Sequence, residues 1–201
     1  MSVIRFGCVV EGHSEVTSLP ILLQRLVRAA NPEMVVVVPE PVRVHRDKFI
    51  AQTDEMFKKV SLAAGKAGPG HPLLILLDSE GDCPATLGPR IIEQAREICP
   101  GRPTGCVIAH QEFESWFLAS PYCIREHFRL SAAPEPPDDP ESKRGAKEWI
   151  KQQLPRGRTY SETIDQPGLT RLFNLQKARS IPSFDKMYRE VARLVAEFEG
   201  V

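Results

Sequence analysis

The chain has 201 residues, with 26 Lys and Arg against 26 Asp and Glu, 42% hydrophobic residues and 26% charged ones. These proportions are those of an ordinary soluble globular protein, and nothing in them argues for disorder. No apolar run reaches the roughly 18 residues of a bilayer span, and the N-terminus lacks a basic segment followed by an apolar one, so a cytoplasmic protein without a membrane partner is expected.

The charge is uneven along the chain. Residues 1–140 carry 14 Lys and Arg against 18 Asp and Glu, whereas residues 141–201 carry 12 against 8. The cysteines Cys8, Cys83, Cys99, Cys106 and Cys123 are odd in number and never spaced as C-x₂-C. They read as free thiols rather than as a disulfide framework or a zinc site.

Residues 2–10 form an apolar run that stops at Glu11 and Gly12. Such runs read as strands buried on both faces of a parallel sheet. Residues 14–30 then place Val16, Leu19, Leu22, Leu23, Leu26 and Val27 at helical spacing, with Ser14 as N-cap and Glu15 in the first turn. Met34–Val38 begins a second strand that runs past Pro39 and Pro41 toward Val44, and the prolines suit an edge or a bulge. A helix is expected over 48–65, closed by Gly65, followed by a loop over 66–72 that lacks the order of a phosphate-binding P-loop.

Leu73–Leu77 is the third strand, and it ends at Asp78, with Glu80 and Asp82 close behind. A helix over 87–98 comes next, then a fourth strand over 105–109. Residues 110–119, with Glu112 and Glu114, read as a helix that starts at the same rim of the sheet. Residues 131–141 form a Pro-rich loop or linker. Helices are expected over 145–154 and 183–198, separated by an irregular stretch with Tyr160, Pro167 and Gly168. The alternation of strands and helices predicts an α/β fold with an open, mainly parallel sheet over 1–130 and a helical basic appendage over 142–201.

In parallel sheets the carboxyl ends of the strands open onto the ligand crevice. Glu11, Glu15, Asp78, Glu80 and Asp82 would gather there. Two carboxylates about 5 Å apart repel by roughly 3 kcal/mol at an effective dielectric of about 20, so such a set calls for a cation or for protons. All-oxygen ligands favour Mg²⁺ or Mn²⁺. The same acids also suit plain surface loops or helix N-termini, where the macrodipole favours negative charge. His13 reads as an exposed loop residue and His110 as a buried hydrogen-bonded one.

The Glu11-Gly12 pair closing one strand and Asp78-Ser79-Glu80 closing another resemble the Toprim domain of type II topoisomerases, primases and small nucleases. The added Glu15 resembles the variant of the overcoming-lysogenisation-defect nucleases. Glu112-Phe-Glu-Ser-Trp-Phe-Leu-Ala119 and Ser183-Phe-Asp185 resemble a bacterial family of unknown function related to Toprim and often encoded beside an ABC-class ATPase.

The resemblance implies a Toprim-like domain over 1–130 and an Mg²⁺- or Mn²⁺-dependent nuclease of DNA or RNA, acting in phage defence or DNA processing with an ATPase partner. It assigns catalysis to Glu11, Asp78 and Glu80, and metal binding to these with Glu15 and Asp82. By their position after a strand, rather than by the resemblance, Glu112 or Glu114 would extend the rim, or else cap a helix or pair with a basic residue. The position of Glu80 departs from the Toprim pattern, which has Asp there. The resemblance also implies a lysine, for which Lys147, Lys177 and Lys186 are candidates. Independently, the basic run with Lys143, Arg144, Lys147 and Lys151 suits contact with nucleic-acid phosphates, or else a solvated helix face. The rival function is an inactive interaction subunit of an ATPase complex.

Overall fold

The structure is a computed structural model that describes residues 2–141 and 145–200. The first apolar run is one extended passage with a break at Phe6, giving β1 (Val3–Arg5) and β2 (Gly7–Val10). The second run is likewise divided into β3 (Val35–Val37) and β4 (Val42–Arg43). Val3 faces Val35 but Val9 faces Val42, so the second run carries one extra residue, absorbed where Pro39 and Pro41 interrupt pairing.

The remaining strands are β5 (Leu73–Asp78) and β6 (Thr104–Ala109). All pairings are parallel: β1 with β3 in one ladder, and β4-β2-β5-β6 in the other. The chain is therefore an α/β protein with a parallel sheet flanked by helices, as the alternation predicts.

Side-chain alternation divides the core. Cys8, Val10, Leu74, Leu76, Val107 and Ala109 pack toward α1 (His13–Ala30) and the C-terminal helices. Val9, Ile75, Leu77, Cys106 and Ile108 pack toward α2 (Arg46–Ala51), α3 (Thr53–Ala67) and α4 (Pro84–Ile98). Gly7 permits the close approach of α3, since a Cβ there would run into the backbone carbonyl of Ala63.

Four local expectations are corrected. The helix expected over 48–65 is two helices, because Gln52 adopts an extended conformation (φ −114°, ψ 108°). The helix after β5 starts at Pro84, where proline's missing N–H costs nothing. Residues 110–114 are a turn rather than a helix, since Gln111 has φ 65°, and only α5 (Ser115–Leu118) is helical. It is followed by α6 (Tyr122–Phe128).

The stretch expected to be irregular contains α8 (Glu162–Leu172), between α7 (Ala146–Gln152) and α9 (Leu175–Ala178). Pro167 and Gly168 weaken its helical propensity, but packing overrides that. Gln166 and Pro167 are buried, and the ring of His127 occupies the space a Cβ on residue 168 would need.

The last helix, α10 (Pro182–Glu199), places Phe184, Met187, Val191 and Leu194 in the same core cluster as β1 and α1. Trp116 anchors this junction, with its Nε1 donating to Ser183 Oγ at 2.7 Å and its ring edge-on to Phe184. Residues 146–195 thus share the sheet's core. Among the described residues no helix is long and apolar enough to cross a membrane.

Candidate functional site

The strands β2, β5 and β6 end side by side, and the segments that leave their carboxyl ends build the site. Glu11 leaves β2 directly. Gly12 then lets the Glu15 carboxylate fold back over the backbone, since a Cβ at residue 12 would meet Glu15 Oε2. Glu15 lies in the first turn of α1 and is 7% exposed. Asp78 ends β5 opposite Ala109, so the turn after β6 brings Glu112 and Glu114 to the same rim.

Glu114 is fully buried. Its Oε1 accepts from Tyr160 Oη at 3.0 Å and from Gln166 Nε2 at 3.1 Å, and Gln166 Nε2 also donates to Glu15 Oε1 at 3.2 Å. Lys147 Nζ lies 4.0 Å from Glu114 Oε2 and 3.2 Å from Glu162 Oε1. The backbone N–H of Lys147 donates to Glu112 Oε2 at 3.2 Å. Asp78, Glu80, Gln111, Glu112 and Lys147 line a cleft of about 320 Å³.

The electrostatics follow from burial and mutual repulsion. Burial pushes the Glu11 carboxyl from 4.5 to about 7, and Glu80 and Glu15 add to the rise while an N–H from Asp78 and the charge of Arg46 oppose it. Glu114 is raised to about 7 by burial, against the opposing charge of Lys147. Asp78 is raised well above the ordinary aspartate range by burial and then by Glu15, Glu114 and Glu11. Burial lowers the Lys147 pKa, but Glu114 and Glu162 outweigh it, so its ammonium stays charged. The buried oxygens Glu11 Oε2, Glu15 Oε2, Glu114 Oε2 and Gln166 Oε1 have no hydrogen-bond partner.

Not all expected residues converge. Asp82 is turned away and pairs with Arg46. Arg46, 7% exposed, staples the loop after β5 by donating from Nε to Asp78 O and from Nη2 to Ser79 O, both at 2.9 Å. Glu80 is exposed and stands 4.0 Å from Arg46 Nη1. Lys177 and Lys186 are exposed, and Lys186 pairs with Glu190 at 2.7 Å. Lys147 belongs to the acidic cluster, Lys151 is exposed on α7, and Lys143 and Arg144 lie outside the described residues. His13 is exposed and meets Arg43 Nη1 at 2.6 Å. His110 is half-buried beside the turn.

Gln166, Tyr160 and Arg46 are the partners that sequence reasoning missed. No local pattern marks Gln166, which sits in a helix with weak propensity. Arg46 stands in the polar run His45-Arg-Asp-Lys48, and nothing in that run marks it for burial.

The donor set fits a hard cation, being all oxygen with several unpartnered carboxylate atoms. Among the described residues, however, no group of three His, Cys, Asp or Glu side chains already stands in an arrangement that could hold a metal ion. Ligation would require the carboxylates to rotate.

Glu80 and Gln111, at neighbouring strand ends, both have positive φ (46° and 65°) and both line the cleft. The left-handed region costs a non-glycine residue roughly 1 kcal/mol. Glu80→Gly is therefore expected to raise the melting temperature in EDTA by about 2–4 °C, the shift for about 1 kcal/mol in a chain of this size. A lower value in a thermal melt would show that the Glu80 carboxylate holds the loop through Arg46.

These features define a parallel α/β protein with a buried acidic site at the carboxyl edge of its sheet. The chain belongs to the family described as a domain of unknown function, DUF4276, which matches residues 10–192. No curated protein and no solved structure matches it.

Proposed function

We propose that this protein is an Mg²⁺- or Mn²⁺-dependent phosphodiesterase that cleaves DNA or RNA. The observation that carries the reading is the meeting of Glu11, Glu15, Asp78 and Glu114 at adjoining strand ends, with buried oxygens of the three glutamates that accept no hydrogen bond, only Glu114 Oε2 having a cation near it, Lys147 at 4.0 Å. Buried polar atoms are almost always partnered, so these oxygens await a cation or a proton. Glu11, Glu15, Asp78 and Glu114 would hold the metal, with Glu80 reaching the same cleft.

Such an ion supplies an activated water and stabilises the departing oxygen of a phosphodiester. Where Glu11 stays off the ion, its carboxyl, raised to about 7, is instead the group that exchanges a proton near neutral pH. Lys147, on the cleft wall, offers its ammonium to a phosphate oxygen, and Tyr160 and Gln166 hold Glu114 in place. The Toprim resemblance supports this reading, the likeness to a Toprim-related family adds an ABC-class ATPase partner and a role in phage defence or DNA processing, and the absence of a long apolar run or signal-peptide pattern in the sequence suits a cytoplasmic setting.

The test incubates purified protein with labelled single- and double-stranded DNA and RNA, in millimolar Mn²⁺ or in EDTA, alone and with the neighbouring ATPase. Cleavage in Mn²⁺ that is lost in Glu114→Gln supports the proposal. No cleavage under any condition leaves an interaction subunit as the better reading.

Stability against pH gives a second test. Glu11 and Glu114 are raised from 4.5 to about 7 in the folded protein, so the native state holds protons that the unfolded chain has released. Their contribution is full below about 4.5 and is lost as pH rises through about 7. Mn²⁺ should replace the protons, raising the melting temperature above pH 7 and less below pH 5. Superimposed melting curves with Mn²⁺ and with EDTA at every pH would mean that protons alone neutralise the cluster.

A further inference from the structure

A second cavity, of about 470 Å³, lies between α4 and α10 over the edge of β6. It is within the range of small-ligand pockets, about 300–1,000 Å³. Ala85, Pro89 and Ile92 form one wall, Ser183 and Lys186 the other, and Cys106 and Ile108 the floor.

The floor carries unused hydrogen-bonding groups. Leu73 N donates to Pro103 O and Ser79 N to Ala109 O, so the alternation of a parallel ladder turns Gly105, Val107 and Ala109 toward β5. The N–H and C=O groups of Cys106 and Ile108 then point away from β5, on the open edge of β6 where the cavity lies. Among the described residues none of them meets a partner. Thr104, the next outward-facing residue, has its carbonyl taken by Arg193 Nη2 at 2.9 Å.

We infer that this cavity binds a nucleobase. The Cys106 carbonyl and the Ile108 N–H form an acceptor and a donor two residues apart on one strand edge, which matches the adjacent donor and acceptor on the edge of a base. The lining is mostly apolar apart from Glu141, Ser183 and Lys186, and Gly88 leaves the floor open, a Cβ there standing 3.8 Å from Ile108 Cγ1. His110 closes the upper end, and the next two residues, Gln111 and Glu112, line the acidic cleft. A nucleotide with its base in the cavity directs its phosphate toward that rim. The proposal rests on the phosphodiesterase reading for the choice of a nucleotide over other flat heterocycles. An extended peptide is disfavoured, because Arg193 ends the free edge and leaves only two residues to pair.

The test is NMR titration of the ¹⁵N-labelled protein in EDTA with AMP, GMP, CMP and UMP, each compared with ribose 5-phosphate, which has no base. At least one mononucleotide should bind about tenfold more tightly than ribose 5-phosphate and shift the amides of Cys106 and Ile108. Gly88→Leu, a helix-favouring change whose Cβ fits, should remove that difference without lowering the melting temperature. Equal binding of all five ligands, or shifts confined to residues away from β6, would overturn the assignment. So would an alternating Val/Thr heptapeptide that shifts the two amides when no mononucleotide does. Cleavage in Mn²⁺ without base-dependent binding would sink this inference alone, whereas base binding without cleavage would sink the nuclease reading and leave a nucleotide site.

Discussion

Glu11→Gln should abolish metal-dependent cleavage while leaving the protein folded. The expected loss is about 10²–10⁴-fold, the usual contribution of a group that transfers a proton in the rate-limiting step, and more if the ion is lost as well. The change keeps the side chain's size and removes its charge. Its effect on stability therefore depends on pH. Glu11 titrates at about 7, so at pH 8 the wild type confines an ionised carboxylate beside Glu80 and Glu15, and the variant in EDTA should melt at a higher temperature. Below about pH 4.5, where the carboxyl is protonated in the folded and the unfolded chain alike, the difference should vanish. Undiminished cleavage by the variant would remove Glu11 from the site.

Arg46→Met should give the largest loss of stability among single changes near the site. Methionine keeps much of the buried stem but removes the donors to Asp78 O and Ser79 O and the partner of Asp82. A buried group left unpaired costs about 1–3 kcal/mol, and two carbonyls are affected, so a loss of about 2–4 kcal/mol is expected. That corresponds to a fall of roughly 5–15 °C in melting temperature. Arg46→Lys should fall between, since one ammonium cannot reproduce the fork of a guanidinium. A wild-type melting temperature for Arg46→Met would show that water serves these carbonyls equally well.

The strands and their terminal acids were legible because burial on both faces writes a continuous apolar run, and because Glu11 and Asp78 each stand where such a run stops. The inner face of the site was not. Glu112 and Glu114 are both near the rim in sequence, but the left-handed Gln111 turns the chain so that Glu114 enters the core while Glu112 stays half-buried at its edge. Gln166 reaches Glu15 across 151 positions of sequence, a contact that only tertiary packing creates. Lys147 was legible as a basic residue but belonged to two readings, phosphate path and site lysine. Its place beside Glu114 comes from the docking of α7, which composition does not announce.

The dependence of Glu114 on Lys147, Tyr160 and Gln166 has a consequence for synthesis. A ribosome finishes the strands and every acid of the rim before it makes any of these three residues. Until α7 and α8 emerge, Glu114 lacks its hydrogen-bond partners, and until α10 is made, Trp116 lacks Ser183 and Phe184. The cluster is thus completed only once residues 147–184 have been made, and a chain released at the Pro-rich segment would carry the acids without the groups that order them.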